Sequence, residues 1–175
     1  MNEEKLFDFF KAHQIEYKLF KHQPLFTTAD KEILIDSDVD SIPGAPSKNL
    51  FLKDVKGAFF LVSVIQDKCV DLKALSQLLA CGRFSFAKPT EMFEFLQLTP
   101  GAVTPFGLMF DMQKQDYPEK VSFVLDEDFL KAEYVIFHPL RNDMSVTVKP
   151  KAFLSCMEKL GHSARIISIP TKKIG

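Results

Sequence analysis

Apolar and polar residues alternate along this chain in two distinct rhythms, and the changes of rhythm mark its elements. Leu6, Phe7, Phe9 and Phe10 recur at helical spacing within Glu3 to Gln14, with acids in the first turn. Tyr17 to His22 alternates as a strand does. Thr27 or Thr28 is placed to cap a short helix reaching about Ile35. Ser37 to Ser47 is rich in Asp, Ser and Pro, and Ile42-Pro43-Gly44-Ala45-Pro46 reads as a turn-rich loop. Lys48 to Lys53 and Ala58 to Ile65 then form two strands flanking a hairpin turn, Asp54-Val55-Lys56-Gly57. Asp71 caps a helix through Leu79, with Leu72, Leu75, Leu78 and Leu79 on one face and Gly82 near its end. Thr90 caps another helix, whose apolar content is Met92, Phe93, Phe95 and Leu96.

The second half returns to strands at Phe106 to Phe110, Val121 to Leu125, Tyr134 to Phe137 and Met144 to Val148. Pro150 suits the first turn of a helix that runs to Leu160 and stops at Gly161. Arg165 to Ile169 is a last strand, and Pro170 to Gly175 is expected to fray. Helices and strands interleave irregularly, without the strict alternation of a doubly wound fold. The pattern predicts an α+β fold: one mixed domain over residues 1–170, with a central, largely antiparallel sheet, flanking helices and a tail at 171–175.

Composition sharpens this picture in three ways. Phe occurs 18 times and Trp never, so the aromatic mass is mostly filling that needs no hydrogen-bond partner. The net charge of −1 lacks the basic excess of a duplex-coating protein, which confines any nucleic-acid contact to a local patch. The longest apolar run, Ala58 to Ile65, is too short to span a bilayer, and the acidic start is no secretory signal. A cytoplasmic protein with no membrane contact is expected.

Several chemistries lack their residues. Cys69, Cys81 and Cys156 form no C-x-x-C pair and read as small core residues in a reducing compartment. No G-x-S-x-G elbow is present. His13, His22, His138 and His162 fall in different elements, without metal-ligand spacing, so neither a metal nor a cofactor is expected. His13 and His162 read as partly exposed surface histidines.

Four segments keep a chemical reading beside a structural one. Lys48 opens an apolar strand, either snorkelling at a sheet edge or aimed at an anion. Arg83, between a helix stop and Phe84-Ser85-Phe86, admits the same two readings. Gly101-Ala102-Val103-Thr104-Pro105-Phe106-Gly107 is either a structural turn or a loop whose N–H groups receive an anion or a developing oxyanion. His138 ends a strand before Pro139 and either lines a cleft or is satisfied by nearby backbone. Asn142 lies in the same bend, where Asn commonly serves the turn itself.

In order and spacing, these segments resemble the prolyl-tRNA synthetase-associated editing-domain family, the YbaK/ProX group. The likeness runs from about Glu3 to Ile169. Lys48-Asn49 is similar to the family's lysine-bearing strand, Gly101 to Pro105 to its Gly-x-x-x-Pro loop, and His138-Pro139-Leu140 with Asn142 to its His-Pro-x-x-Asn segment. Leu98-Thr99-Pro100-Gly101 and Gly82-Arg83-Phe84-Ser85-Phe86 resemble the free-standing ProX/PrdX branch. Phe110 before Asp111, and Asp143 after Asn142, depart from that branch and put amino-acid specificity in question.

The resemblance implies a hydrolase that clears alanine from tRNA(Pro). Lys48, Gly101 and His138 would be catalytic. Asn49, Ala102, Val103, Thr104, Pro105, Asn142 and Arg83 would bind substrate. The implied partner is the aminoacylated acceptor end of tRNA(Pro), with prolyl-tRNA synthetase or an elongation factor as transient companions. Lys53, Lys56, Arg83, Lys88 and Arg141 are candidates for phosphate contact. Deacylation of cysteinyl- or seryl-tRNA, a non-catalytic aminoacyl-binding module, and a Phe-rich protein-interaction domain stand as alternatives.

Overall fold

The computed structural model describes residues 2–24, 42–111 and 121–173. The helix expected near Thr27 to Ile35 lies outside them. The helices are α1 (Asn2–Ala12), α2 (Leu72–Leu78), α3 (Pro89–Leu96) and α4 (Pro150–Lys159). The strands are β1 (Lys18–Lys21), β2 (Ala45–Asp54), β3 (Phe59–Ile65), β4 (Phe84–Phe86), β5 (Ser122–Asp126), β6 (Val135–Phe137), β7 (Met144–Val148) and β8 (Arg165–Ile167). All eight join one sheet in the order β1-β7-β6-β2-β3-β5-β8, with β4 on β2. The sheet is mixed: four ladders are antiparallel, and the β2–β6, β3–β5 and β5–β8 ladders are parallel.

Strand alternation sorts the core into two clusters. Phe51, Phe59, Leu61, Phe123, Leu125, Val135, Phe137 and Val146 face the larger, which α1, α3 and α4 cover with Phe10, Phe95 and Phe153. Leu52, Val62, Val64 and Val124 face the smaller, with Leu75 and Leu79 of α2. The larger core is built from phenylalanine rings. Phe137 stacks on Phe153 at 4.5 Å between centroids, and Phe106 meets both edge-on at 6.1 and 5.9 Å. Rings without polar atoms pack this way with no hydrogen-bonding debt.

Several sequence expectations are corrected. Phe106 to Phe110 is not a strand but a 3-10 helix over Pro105–Phe110, capped by the Thr104 side chain. Thr-Pro is a helix-start signal, and it overrides the apolar run behind it. Thr90 is not a cap: α3 begins at Pro89, and the Glu91 carboxylate accepts from the Lys88 N–H at 2.9 Å. Phe93 and Leu78 are largely exposed on their helices rather than packed. β2 begins three residues early, at Ala45, because the Ala45 N–H finds the Tyr134 carbonyl. β4 was not anticipated; three residues are too few for a visible period.

Pro170 to Lys172 does not fray. Thr171 bridges Val70, the Lys172 N–H reaches the Cys69 carbonyl, and the Asp71 N–H reaches the Pro170 carbonyl. Among the described residues no helix is long and apolar enough to cross a membrane.

Candidate active site

A break in the sheet organises the candidate site. One edge of β2 pairs with β3 from Ser47 to Lys53. Its other edge meets β6 only at Ala45 and Pro46, and β4 only from Leu52 to Asp54. Among the described residues, Lys48, Asn49 and Leu50 therefore have no strand beside them on that edge. Two sequence features open the gap. Pro139 helps turn the chain away after β6, and Pro89 starts α3 just past β4.

Lys48 and Asn49 lie side by side at this break but on opposite faces of β2. Lys48 pairs in register with Val64 of the smaller core, and its ammonium donates to the Lys68 carbonyl. The Lys68 ammonium in turn binds Asp126 at 2.8 Å and Asp128 at 2.6 Å. Burial opposes the Lys68 charge, but these two carboxylates outweigh it and hold its pKa above the ordinary lysine value. Asp126, fully buried, also accepts from the Ile65 and Asp128 N–H groups. Among the described residues, Lys48 itself pairs with no carboxylate.

Asn49 lies opposite Ser63 of β3, and both ends of its amide are hydrogen-bonded. The buried Ser63 hydroxyl donates to Asn49 Oδ1 at 2.5 Å. Asn49 Nδ2 donates to Ser47 Oγ at 3.2 Å, and Ser47 Oγ donates to the Ile136 carbonyl at 2.8 Å. This chain of bonds straps β3, β2 and β6 together along one side of the break.

His138 sits just past the end of β6. Its Nδ1 lies 2.7 Å from the Met144 carbonyl, which can only accept, so Nδ1 carries the proton and a neutral ring leaves Nε2 as an acceptor. The His22 ring is 6.0 Å away and is fixed by the Gln23 carbonyl and Ser145 Oγ. Leu140 takes a left-handed φ of 69°, a strained conformation for a branched side chain and the mark of a forced bend. Arg141 braces that bend, bonding Asp143 through Nε at 2.9 Å and Glu3 of α1 at 3.0 Å. Asn142 is half-buried in the bend.

Burial depresses the His138 pKa below its ordinary 6.5, against the raising effect of the Met144 bond; the His22 charge lowers it further. The unfolded chain therefore takes up this proton at a higher pH than the folded one. His138 leaves stability unaffected above pH 6.5 and subtracts from it as pH falls from 6.5 toward its folded pKa. Urea melts between pH 7.5 and 5 are expected to show this loss in the wild type and a flatter profile in His138→Asn.

The Gly101 to Pro105 loop joins α3 to the 3-10 helix. Gly101 has a φ of 91°, which favours glycine. The Ala102 N–H is taken by the Thr99 carbonyl at 3.1 Å, which leaves the N–H groups of Gly101, Val103 and Thr104 as the loop's candidate donors. Thr104 is fully buried and Pro105 is buried at the helix start. Val103 packs on the larger core, the cluster that also holds Phe51. Lys48, Gly101 and His138 are not hydrogen-bonded to one another among the described residues.

Arg83 is placed elsewhere. Its carbonyl accepts from the Val55 N–H beside the β2–β3 hairpin, roughly 20 Å along β2 from Lys48. Of the other cations proposed for phosphate contact, Lys53 is bound to Glu91 and Arg141 to Glu3 and Asp143. The two departures from the ProX/PrdX pattern also have local partners. Phe110 packs partly on the larger core, and Asp143 holds Arg141. Asp111 receives His162 Nε2 at 2.8 Å, so His162 is a buried brace and not a surface histidine.

Cys69 is exposed rather than packed, while burial pushes Cys81 upward and Cys156 up to about 12. A thiol raised in this way is a poor nucleophile near neutral pH. Ser47, Ser63, Lys68 and Asp126 were missed as site-supporting residues. Ser63 could have been found: a lone polar residue inside the apolar run Phe59 to Ile65 needs a partner.

Known proteins resemble this chain along most of its length. The model of the aminoacyl-tRNA editing domain family matches residues 31–156. The prolyl-tRNA synthetase associated domain-containing protein 1 of Xenopus laevis is 36% identical over 152 residues, covering 84% of each chain. The prolyl-tRNA editing protein ProX of Acetoanaerobium sticklandii is 36% identical over 136 residues, covering 77% of this chain and 76% of its own. A solved structure described as a proposed trans-editing enzyme for prolyl tRNA synthetase superposes with a TM-score of 0.68 at 19% identity, covering 98% of both chains; it shares the fold. The chain belongs to the aminoacyl-tRNA editing domain family.

Proposed function

We propose that this member of the aminoacyl-tRNA editing family is a trans-acting deacylase that removes alanine from mischarged tRNA(Pro). The observation that carries the reading is the state of Lys48. Lys53, Lys68, Lys131 and Arg141 each meet a carboxylate, whereas Lys48, beside the break in the sheet, is held among the described residues only by a carbonyl. A cation placed so, and left without a countercharge, suits an anionic ligand such as the phosphate of a tRNA 3′ end.

In the proposed reaction a water adds to the ester carbonyl. The bond from carbonyl carbon to ribose oxygen breaks, the ribose oxygen leaves with a proton, and alanine departs as the free acid. An aminoacyl ester is already activated, so no covalent enzyme intermediate is required. Lys48 anchors the 3′ end and sets the ester's position. N–H groups of Gly101, Val103 and Thr104 stabilise the developing oxyanion. The neutral Nε2 of His138 and the Asn142 amide orient the terminal nucleotide or the water. A small pocket excludes proline by size, the direction in which steric selection works well. The substrate reaches the enzyme after release from prolyl-tRNA synthetase and in competition with elongation factor.

The test is deacylation of alanyl-tRNA(Pro) beside prolyl- and cysteinyl-tRNA(Pro). Loss of alanine alone is expected. Loss of cysteine instead would overturn the substrate, and no turnover would overturn the hydrolase. Gly101→Ala tests the loop. A Cβ at φ 91° forces the backbone to shift, and a displacement of about 1 Å costs on the order of 100-fold in kcat/KM. An unchanged kcat/KM would remove the loop from oxyanion stabilisation.

A further inference from the structure

Backbone groups of β2 remain unpaired inside the break, and their arrangement points to a substrate contact. Hydrogen-bonding direction alternates along a strand, so residues two apart face the same edge. The Ala45 N–H bonds the Tyr134 carbonyl, and the Phe51 carbonyl accepts from Ala87 at 3.0 Å. Odd-numbered residues of β2 therefore turn toward β6 and β4. The even-numbered ones turn toward β3, as the bonds of Pro46 with Gln66 and of Asp54 with Ala58 show.

Asn49 lies midway between these contacts. Its N–H and C=O both face the break, and neither meets a backbone partner among the described residues. The Phe51 N–H beside them likewise meets no backbone partner among the described residues. Strand backbone is seldom left this way, and at a half-buried position such as Asn49 an unmet donor and acceptor are open to a ligand. The Asn49 side chain cannot fold back to fill the gap, since Ser63 and Ser47 hold both of its ends.

One donor and one acceptor on a single residue are what an antiparallel partner residue requires: it exchanges two N–H···O bonds with the residue opposite. An aminoacyl ester is such a partner. Its α-ammonium donates and its ester carbonyl accepts, both from one residue. We infer that the aminoacyl group docks as a one-residue β-strand in the break, its ammonium on the Asn49 C=O and its carbonyl on the Asn49 N–H. The inference rests on the deacylase reading and supplies how that site recognises its substrate's main chain.

The antiparallel direction sends the ester and ribose toward Ser47 and the end of β6, where His138 lies. The carbonyl oxygen has two lone pairs, so the bond to Asn49 leaves one for the Gly101 to Thr104 loop. Recognition at Asn49 is then blind to the side chain and demands an N–H donor on the α-nitrogen, which the propanoyl group lacks. Asn49, which the resemblance implies to bind substrate, acts here through its main chain.

The test uses a stable amide analogue, alanine joined to 3′-amino-3′-deoxyadenosine, and its propanoyl counterpart, which lacks only the ammonium. Two-dimensional 1H–15N spectra of the whole protein are recorded on titration with each. The Asn49 amide resonance is expected to shift on binding the alanyl analogue. The propanoyl analogue is expected to bind roughly 10- to 100-fold more weakly, the worth of a hydrogen bond to a charged group. Equal affinity for the two, an unmoved Asn49 amide, a shift at Phe51 instead, or no binding at millimolar analogue would each overturn the inference. Hydrolysis of alanyl-tRNA(Pro) without the Asn49 shift defeats the strand pairing alone. The shift without hydrolysis upholds the pairing and defeats the deacylase.

Discussion

Lys48→Ala is expected to lower kcat/KM for alanyl-tRNA(Pro) by at least about 100-fold, since it removes the charge proposed to fix the 3′ end. The structural cost is small. Lys48 is half-buried at the start of the β2–β3 ladder, and among the described residues its side chain forms a single hydrogen bond, to the Lys68 carbonyl. Losing that bond is worth about 1 kcal/mol. An unchanged circular dichroism spectrum and a near-native urea midpoint should accompany the lost activity. Lys48→Arg separates charge from geometry. Charge alone would be restored, whereas a requirement for the compact ammonium would leave the variant nearly as slow as Lys48→Ala. Wild-type turnover by Lys48→Ala would remove Lys48 from the mechanism.

Asp126→Ala is expected to cost about 3–5 kcal/mol of stability, because it strands the partners of a fully buried carboxylate. The Lys68 ammonium would lose one of its two carboxylates, and the Ile65 and Asp128 N–H groups would lose their acceptor. Urea denaturation measures this directly. A change under 1 kcal/mol would show that the network contributes little. The variant also bears on function, since Lys68 presents the carbonyl that holds Lys48. Under conditions where it remains folded, Asp126→Ala should raise KM for alanyl-tRNA(Pro) more than it lowers kcat.

The elements with strong periods were plain in the sequence. The Phe-rich helix at the start, the hairpin around Asp54 to Gly57, the helix from Pro150, and the strands at Tyr134 and Met144 appear where the alternation places them. Their signal is local: burial of one face repeats at a fixed spacing, and a chain of 175 residues displays it directly. The Thr-Pro and Lys-Pro starts were misread where an apolar run or a tempting Thr competed with proline's preference for a first helical turn.

The membership of Lys48, Asn49, Gly101 and His138 in one family pattern was equally legible, because order and spacing survive in one dimension. Their spatial relations were not. Adjacent residues of a strand face opposite sides, so Lys48 and Asn49 part company once β2 is paired. Arg83 leaves the group because β4 pairs with the far end of β2. Phosphate candidates drop out when carboxylates distant in sequence reach them, as Glu3 reaches Arg141.

The sequence by itself determined the elements with strong periods, the class and the family, since each depends on local pattern or linear order. Among the described residues, the tertiary structure alone decided that Lys48 stays without a carboxylate beside the break and that the Asn49 backbone groups stay unpaired. Both depend on long-range pairing, and the break in β2 exists only where two strands from elsewhere in the chain fail to meet along its edge.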